Sequence, residues 1–82
     1  MKANKKIRYG KFMFLDGRYY EGEYENDQKE GYGIFNYSDG RLFEGLWFDG
    51  KQSGFGVYTD ISGLIYLGVW VEGNMVFSFQ ME

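Results

Sequence analysis

A 23-residue spacing of glycines constrains this chain more than any other feature of its sequence. Gly10, Gly33 and Gly56 stand 23 positions apart, and each of the thirteen glycines has a counterpart at that distance. Two aromatic columns follow the same period: Tyr20, Phe43 and Tyr66, then Tyr24, Trp47 and Trp70. Self-similarity at a fixed period is the signature of a repeat protein, in which each unit buries its apolar face against the next.

Each unit contains two segments with the pattern of a short β-strand. In "YYEGEY" and "LFEGLWF" aromatic residues and glycine occupy alternate positions, so they lie on one face of a strand. Polar turns follow, of which Asp49-Gly50 suits a type I′ hairpin and Asn26-Asp27 is a weaker version. Strands that begin "GYG" or "GFG" then return. The sequence therefore predicts an all-β protein, a single-layer antiparallel β-meander of about seven strands.

Because the period of 23 is odd, every repeat needs one odd step, that is, one turn or bulge that shifts the alternation of side chains by a single residue. Side chains alternate with period 2, so a plain shift of 23 would move an aromatic column to the opposite face. We expect the compensating step at the Asp39-Gly40 and Ser62-Gly63 turns, with glycine in a left-handed conformation.

With that step, one face carries glycines and rings together. The missing side chains of Gly22 and Gly33 leave a floor on which rings can lie. We predict an aromatic groove that is either the core of a thin protein or a shallow cradle for a peptide helix, two roles that are compatible. Its residues are Tyr20, Tyr24, Phe35, Phe43, Trp47, Tyr58, Tyr66 and Trp70.

The reverse face changes from acidic to apolar towards the C-terminus. A one-layer sheet cannot bury both faces by itself, and an exposed apolar patch marks an interface. We predict a protein partner here, a second copy or a helix; the alternative is that sheet twist and the terminal segment cover the patch. The candidate interface residues are Leu46, Phe48, Leu67, Val69 and Val71.

Basic residues are concentrated at the N-terminus. Residues 1–18 contain six basic groups and one acid, whereas the rest of the chain is acidic. Such an arm can be a solvated terminus or can contact anionic lipid, where a basic residue contributes about 1 kcal/mol. The candidate lipid contacts are Lys2, Lys5, Lys6 and Arg8. The acidic body disfavours lipid binding and argues against nucleic acid.

The sequence offers little catalytic chemistry. It contains no histidine and no cysteine, which removes the usual general base, thiolate sites and most zinc sites. The "GYG" and "GFG" stretches lack the lysine and the helix of a phosphate loop. Glu21, Glu23, Glu25 and Glu44 fit a solvated strand face better than a cation site. We therefore expect no enzyme, no catalytic residue, no cofactor and no metal.

The stretch "YEGEYENDQKEGYGIFNYSDG" resembles a membrane occupation and recognition nexus (MORN) repeat. That pattern reads Tyr-x-Gly-x-Trp, a turn that is often Asn-Gly, then Gly-x-Gly and an aromatic, and it closes with Asp-Gly. The resemblance divides the chain into a basic N-terminal arm (1–7) and a repeat domain (8–82) of about 3.5 units. These units are a half repeat (8–19), full repeats (20–42 and 43–65) and a truncated or capping repeat (66–82).

Departures from the pattern occur at three places. Tyr24 stands where tryptophan is usual, and Asp27 replaces the turn glycine. Phe77 and Phe79 stand where Gly-x-Gly is expected, so we expect them to close the aromatic row as a cap. The alternative is a fragment of a longer array; we expect a complete small protein.

The resemblance implies a binding function. Proteins similar to this one serve as dimerising or docking modules in the cytoskeleton, in cilia or beside a separate catalytic domain, and some are linked to phospholipids. We therefore expect a non-catalytic protein-interaction scaffold whose candidate partners are a peptide helix and a second copy of the chain, which would give a homodimer. We expect it inside the cell, in the cytoplasm or on the cytoskeleton. The alternative function is peripheral binding to anionic membranes through the basic N-terminus.

Overall fold

A computed structural model describes residues 8–81, which form one open antiparallel sheet of seven strands. Each strand pairs with its neighbour in the sequence, and the principal extents are 41 × 30 × 18 Å. The strands are β1 Arg8–Met13, β2 Tyr19–Glu25, β3 Gln28–Asn36, β4 Leu42–Phe48, β5 Lys51–Thr59, β6 Ile65–Val71 and β7 Asn74–Gln80. The predicted single-layer all-β meander is confirmed. Within this part of the chain no helix could span a membrane.

Tight two-residue turns join the strands inside each repeat. Asn26 and Asp27 have φ values of 53° and 65°, and Asp49 and Gly50 have φ values of 55° and 83°. Positive φ at both central positions defines the type I′ turn, whose twist matches that of the strands it joins. The type I′ prediction is therefore confirmed, including the turn at Asn26-Asp27 that lacks glycine.

Wider turns join one repeat to the next and contain the sequence Asp-Gly-Arg twice. In the turn of β3 and β4, the Arg41 amide donates to Asp39 Oδ1 at 3.1 Å, and Arg41 Nε lies 2.9 Å from Asp39 Oδ2. The Arg41 guanidinium also lies 4.5 Å from the centroid of the Tyr37 ring. The Asp16–Arg18 turn repeats this arrangement over Phe14. In both turns the arginine thus contacts the aspartate carboxylate and an aromatic ring at the same place in the repeat.

The odd step of the repeat lies in the tight turns. Tyr20 is paired with Phe35, fifteen positions away, whereas Phe35 is paired with Phe43, eight positions away. Directly paired residues point to the same side of a sheet. The wide turns therefore separate paired residues by an even number of positions, and the tight turns separate them by an odd number. Our prediction that the wide turns carry the odd step was wrong, because a two-residue turn already joins positions separated by an odd number. The left-handed conformation of Gly40 and Gly63 is confirmed by φ values of 105° and 95°.

The core is a single row of rings that covers a floor of paired glycines. Gly22 is paired with Gly33, and Gly45 with Gly56. A side chain at Gly33 would overlap the Tyr20 ring, and one at Gly56 would overlap the Phe43 ring. The buried hydrophobic residues of the described chain are Tyr20, Phe35, Phe43, Trp47 and Trp70. Each ring therefore replaces the side chains that two glycines lack.

Strand β7 departs from the predicted cap. Ser78 is paired with Gly68, while Phe77 is paired with Val69 and Phe79 with Leu67. The two phenylalanines therefore lie on the reverse face, and the expectation that they close the aromatic row was wrong. The physical reason is the bulge of this hairpin, which skips only Val76, whereas β3 and β5 each carry a longer irregularity opposite β2 and β4.

The glycine column offers a direct test of this packing. We expect Gly33→Val to lower the free energy of unfolding by about 3 kcal/mol or more, because its Cβ would overlap the Tyr20 ring. Gly10→Val in the same column is the control: its Cβ would meet only Tyr24 Cε1, at 3.9 Å. That variant should be unchanged or more stable by up to ~1 kcal/mol. Equal losses in urea denaturation of both variants would contradict the ring-on-glycine core.

Candidate functional site

The structure brings the eight predicted groove residues together on one face. Five of them are buried, and Tyr24 and Tyr58 pack against this cluster while remaining partly exposed. Tyr66 is partly exposed, and its ring centroid lies 6.4 Å from that of Tyr58. The aromatic face is thus a closed core at its centre and becomes accessible towards both ends of the sheet.

Edge-to-face contacts connect the buried rings. The Trp47 ring lies 5.3 Å from Tyr20 and 5.4 Å from Phe43, and Phe43 lies 4.7 Å from Trp70, all as centroid distances. Aromatic pairs in this geometry contribute about 0.5–1.5 kcal/mol beyond their buried area. The central rings therefore stabilise one another across strands β2, β4 and β6.

The polar atoms of the Tyr20 and Trp47 rings have hydrogen-bond partners. The Tyr20 hydroxyl donates to the Glu23 carbonyl oxygen at 2.9 Å, and Trp47 Nε1 donates to the Gly33 carbonyl oxygen at 3.2 Å. No buried side-chain polar atom in residues 8–81 lacks a hydrogen-bond partner. Burial raises the pKa of the Tyr20 hydroxyl far above its ordinary value. The centre of the aromatic face therefore has no unpaired group to offer a ligand.

Sequence reasoning missed three contributors to the aromatic face. Phe14 and Tyr37 pack against the core cluster, and both precede an Asp-Gly-Arg turn at the same place in the repeat. Lys29 is half-buried, and its Nζ lies 5.4 Å from the Tyr20 centroid and 5.6 Å from that of Trp47. The 23-residue spacing of Phe14 and Tyr37 could have identified them, but no sequence signal distinguished Lys29.

A hollow opens at the N-terminal end of the aromatic face. Its volume is about 520 Å³, within the range of small-ligand sites. Its floor is Gly10, rings of Phe12, Tyr20 and Tyr24 line it, and Lys29 contributes its charge. Burial lowers the pKa of Lys29. This is the part of the aromatic face where apolar surface and a cation are both accessible.

The five predicted interface residues lie on the reverse face or at its rim. Leu46, Phe48 and Val71 are exposed, and Leu67 and Val69 are partly buried. Phe55, Phe77 and Phe79 belong to the same surface. Sequence reasoning missed Phe77 and Phe79, which it assigned to the other face. All three are exposed.

The glutamates at the other end of the reverse face have a local structural role. The Glu23 carboxylate lies over Gly31, and its Oε1 accepts a hydrogen bond from the Tyr32 amide at 2.9 Å. Gly31 has φ of 69°, and the counterpart of Glu23 in the next repeat, Leu46, lies over Gly54. Among residues 8–81 no group of three acidic side chains could hold a metal ion.

The predicted lipid contacts are mostly outside the described residues. Lys2, Lys5 and Lys6 precede residue 8, while Arg8 is exposed at the start of β1. Lipid binding through this arm stays a prediction.

Comparison with known proteins identifies the repeat. A family model of the MORN repeat matches residues 20–40 and 43–65, together more than half of the chain. The comparison with curated proteins found no match. The open meander with its periodic glycines defines a repeat module, and the MORN repeat is a non-enzymatic module associated with protein or membrane binding. The chain belongs to the MORN repeat family.

Removal of the central ring should cost stability. We expect Trp47→Ala to lower the free energy of unfolding by about 3–5 kcal/mol, because it leaves a cavity among Tyr20, Phe35 and Phe43. Tyr9→Ala, at a side chain that is exposed on β1, is the control and should change stability by less than ~1 kcal/mol. If thermal unfolding of Trp47→Ala is unchanged while binding to a partner falls, Trp47 is a contact residue and not core.

Alkaline pH should reveal the buried hydroxyl of Tyr20. Its pKa is raised in the folded state, so its contribution to stability is complete below the unfolded value of 10.0 and is lost as pH rises towards the folded value. We expect Tyr20→Phe to be less stable at pH 7 by about 1 kcal/mol, through loss of the hydrogen bond to Glu23. Between pH 9 and 11 its urea midpoint should fall less steeply than that of the unaltered chain. Identical slopes would contradict a protonated, buried Tyr20.

Proposed function

We propose that this protein is a protein-binding scaffold module that forms a homodimer through the apolar half of its reverse face. The observation that carries the proposal is a block of six side chains placed side by side on strands β5, β6 and β7. Phe55, Val69 and Phe77 form one row across the strands, and Val57, Leu67 and Phe79 form the next. We call these six residues the apolar patch.

The exposure of the apolar patch supports an interface. Phe55, Phe77 and Phe79 are 66%, 60% and 53% exposed, although they are directly paired or adjacent to other apolar residues. Full burial of one such ring stabilises by about 1.5–3 kcal/mol. In a one-layer sheet the described chain has no second layer to cover them, and sheet-on-sheet packing at about 10 Å is the usual solution.

The distribution of charge supports a second copy as the partner. Glu21 and Glu23 lie on the reverse face of β2, away from the apolar patch, whereas Glu44 on β4 is paired with Val57 at the edge of the patch. A two-fold axis through the patch brings apolar surface against the same surface of the other copy. The β2 glutamates of the two copies then lie at opposite ends of the dimer, where their repulsion is small, and Glu44 lies at the rim of the interface. A peptide helix would need basic flanks to pass over the same acidic strands.

Light scattering on the purified chain tests this dimer. We expect a dimer that becomes monomeric with Phe55→Glu, because a charge would be buried within the interface. Val69→Glu should have the same effect, since Val69 is paired with both Phe55 and Phe77.

Tyr9→Glu is the control for this experiment. Tyr9 is 67% exposed on the reverse face of β1, which matches the exposure of Phe55 at the other end of the sheet. The dimer should survive this change. A chain that remains monomeric at about 1 mM would rule out the proposed interface. Equal dissociation by Tyr9→Glu and Phe55→Glu would also rule it out.

Vesicle binding addresses the alternative function of the arm. Co-sedimentation with anionic vesicles, with and without charge reversal of Lys2, Lys5 and Lys6, measures any contribution of the basic N-terminus. A loss of sedimentation on charge reversal, with the dimer intact, would favour the membrane as partner. The proposal gives the chain no catalytic role, because the sequence lacks histidine and cysteine.

A further inference from the structure

The hollow at the N-terminal end of the aromatic face lies over a glycine that no ring of the described chain covers. Gly10, Gly33 and Gly56 are equivalent positions of successive repeats. Tyr20 covers Gly33, and Phe43 covers Gly56. Above Gly10 the nearest atom to an added Cβ is Tyr24 Cε1, at 3.9 Å, and the space opens into the hollow. One glycine of the column therefore has room for a ring that the described chain does not supply.

The walls of the hollow are suited to an aromatic ligand. Phe12, Tyr20 and Tyr24 line it beside Gly10. The Tyr20 and Tyr24 rings already meet edge to face, with centroids 5.1 Å apart. A ring placed over Gly10 would meet Tyr24 in the way that Tyr20 meets Trp47 and Phe43 meets Trp70 farther along the sheet.

The charge at the hollow favours an anionic group on the same ligand. Lys29 is half-buried there, and the ion pairs Arg18–Asp16 and Arg41–Asp39 of the described chain lie elsewhere, in the wide turns. Asp27 also lines the hollow, whereas the ammonium of Lys11 lies on the opposite face over the Tyr19 ring, so the charged side chains at the hollow are one cation and one anion. A carboxylate that pairs with Lys29 in a partly desolvated place forms a stronger contact than one on the open surface.

We infer that this hollow is a docking site for an acidic peptide segment, which places an aromatic side chain over Gly10 and a neighbouring carboxylate on Lys29. The site lies on the opposite face from the apolar patch and does not depend on the proposed dimer. The site recognises its ligand through a contact that occurs twice within the sheet itself, a ring lying over glycine. Lys29 adds selectivity for an acidic residue next to that ring.

Titration with a short peptide tests the site on the full chain. The probe is acetyl-Asp-Phe-Asp-amide, followed by backbone amide shifts in NMR. We expect shifts concentrated at Gly10, Tyr20, Tyr24 and Lys29. The peptides acetyl-Asn-Phe-Asn-amide and acetyl-Asp-Ala-Asp-amide should each bind at least ~10-fold more weakly, because one lacks the charge and the other the ring.

Two variants test the residues that make the site. Gly10→Val should fill the floor from within, keep the fold and weaken the peptide at least ~10-fold, as should Lys29→Met, which removes the charge but keeps the length of the side chain. Phe55→Glu on the opposite face is the control and should leave peptide affinity unchanged. Unchanged affinity in Gly10→Val, or equal affinity for the three peptides, would overturn the proposal.

Other occupants would give different results in the same experiments. If 3-phenylpropionate binds as tightly as the peptide, the hollow is a site for small aromatic acids and the peptide proposal is wrong. If Gly10→Val shifts the amides of residues 1–7 in the absence of any peptide, the chain's own N-terminus is the occupant, and the proposal is equally wrong. Failure of the peptide to bind while light scattering still shows the dimer would leave the reverse-face proposal intact.

Discussion

The structure depends on one contact, an aromatic ring lying over glycines of its own and the neighbouring strand. Tyr20 covers Gly22 and Gly33, and Phe43 covers Gly45 and Gly56. Glycine in a strand costs about 0.5–1 kcal/mol relative to alanine, whereas burial of a large ring contributes about 1.5–3 kcal/mol. The contact is therefore favourable at every repeat, and it gives a thin sheet a core without a second layer.

This contact also explains why the ends of the sheet differ from its centre. A ring from one repeat fills space in the same hairpin and meets the tryptophan of the hairpin beside it, as Tyr20 meets Trp47. At β1 no earlier ring of the described chain covers Gly10, so a hollow opens there. At β7 the shorter bulge moves Phe77 and Phe79 to the reverse face, where they enlarge the apolar patch. Both candidate binding surfaces thus arise from the same packing rule at the ends of the array.

Sequence reasoning predicted the parts of this fold that repeat. The spacing of Gly22, Gly45 and Gly68 gave the strands and the ring-bearing face, because every unit must solve the same packing problem. It failed where the solution depends on the geometry of one turn. The number of residues that a bulge skips decides the side on which Phe77 lies. An alternating sequence pattern does not indicate that number. Lys29 was missed because its burial comes from the rings of Tyr20 and Trp47 and not from its neighbours in sequence.

The two faces of the sheet are consequently under different steric constraints. On the aromatic face glycine and ring alternate under steric constraint, since a Cβ at Gly33 or Gly56 would overlap a ring. On the reverse face equivalent positions are occupied by Glu23, Leu46 and Val69 without any change in strand order. The fold tolerates a carboxylate or an aliphatic side chain there because that side chain lies on the face opposite to the aromatic core. The chain can therefore change from acidic to apolar along one face while the other face continues to specify the sheet.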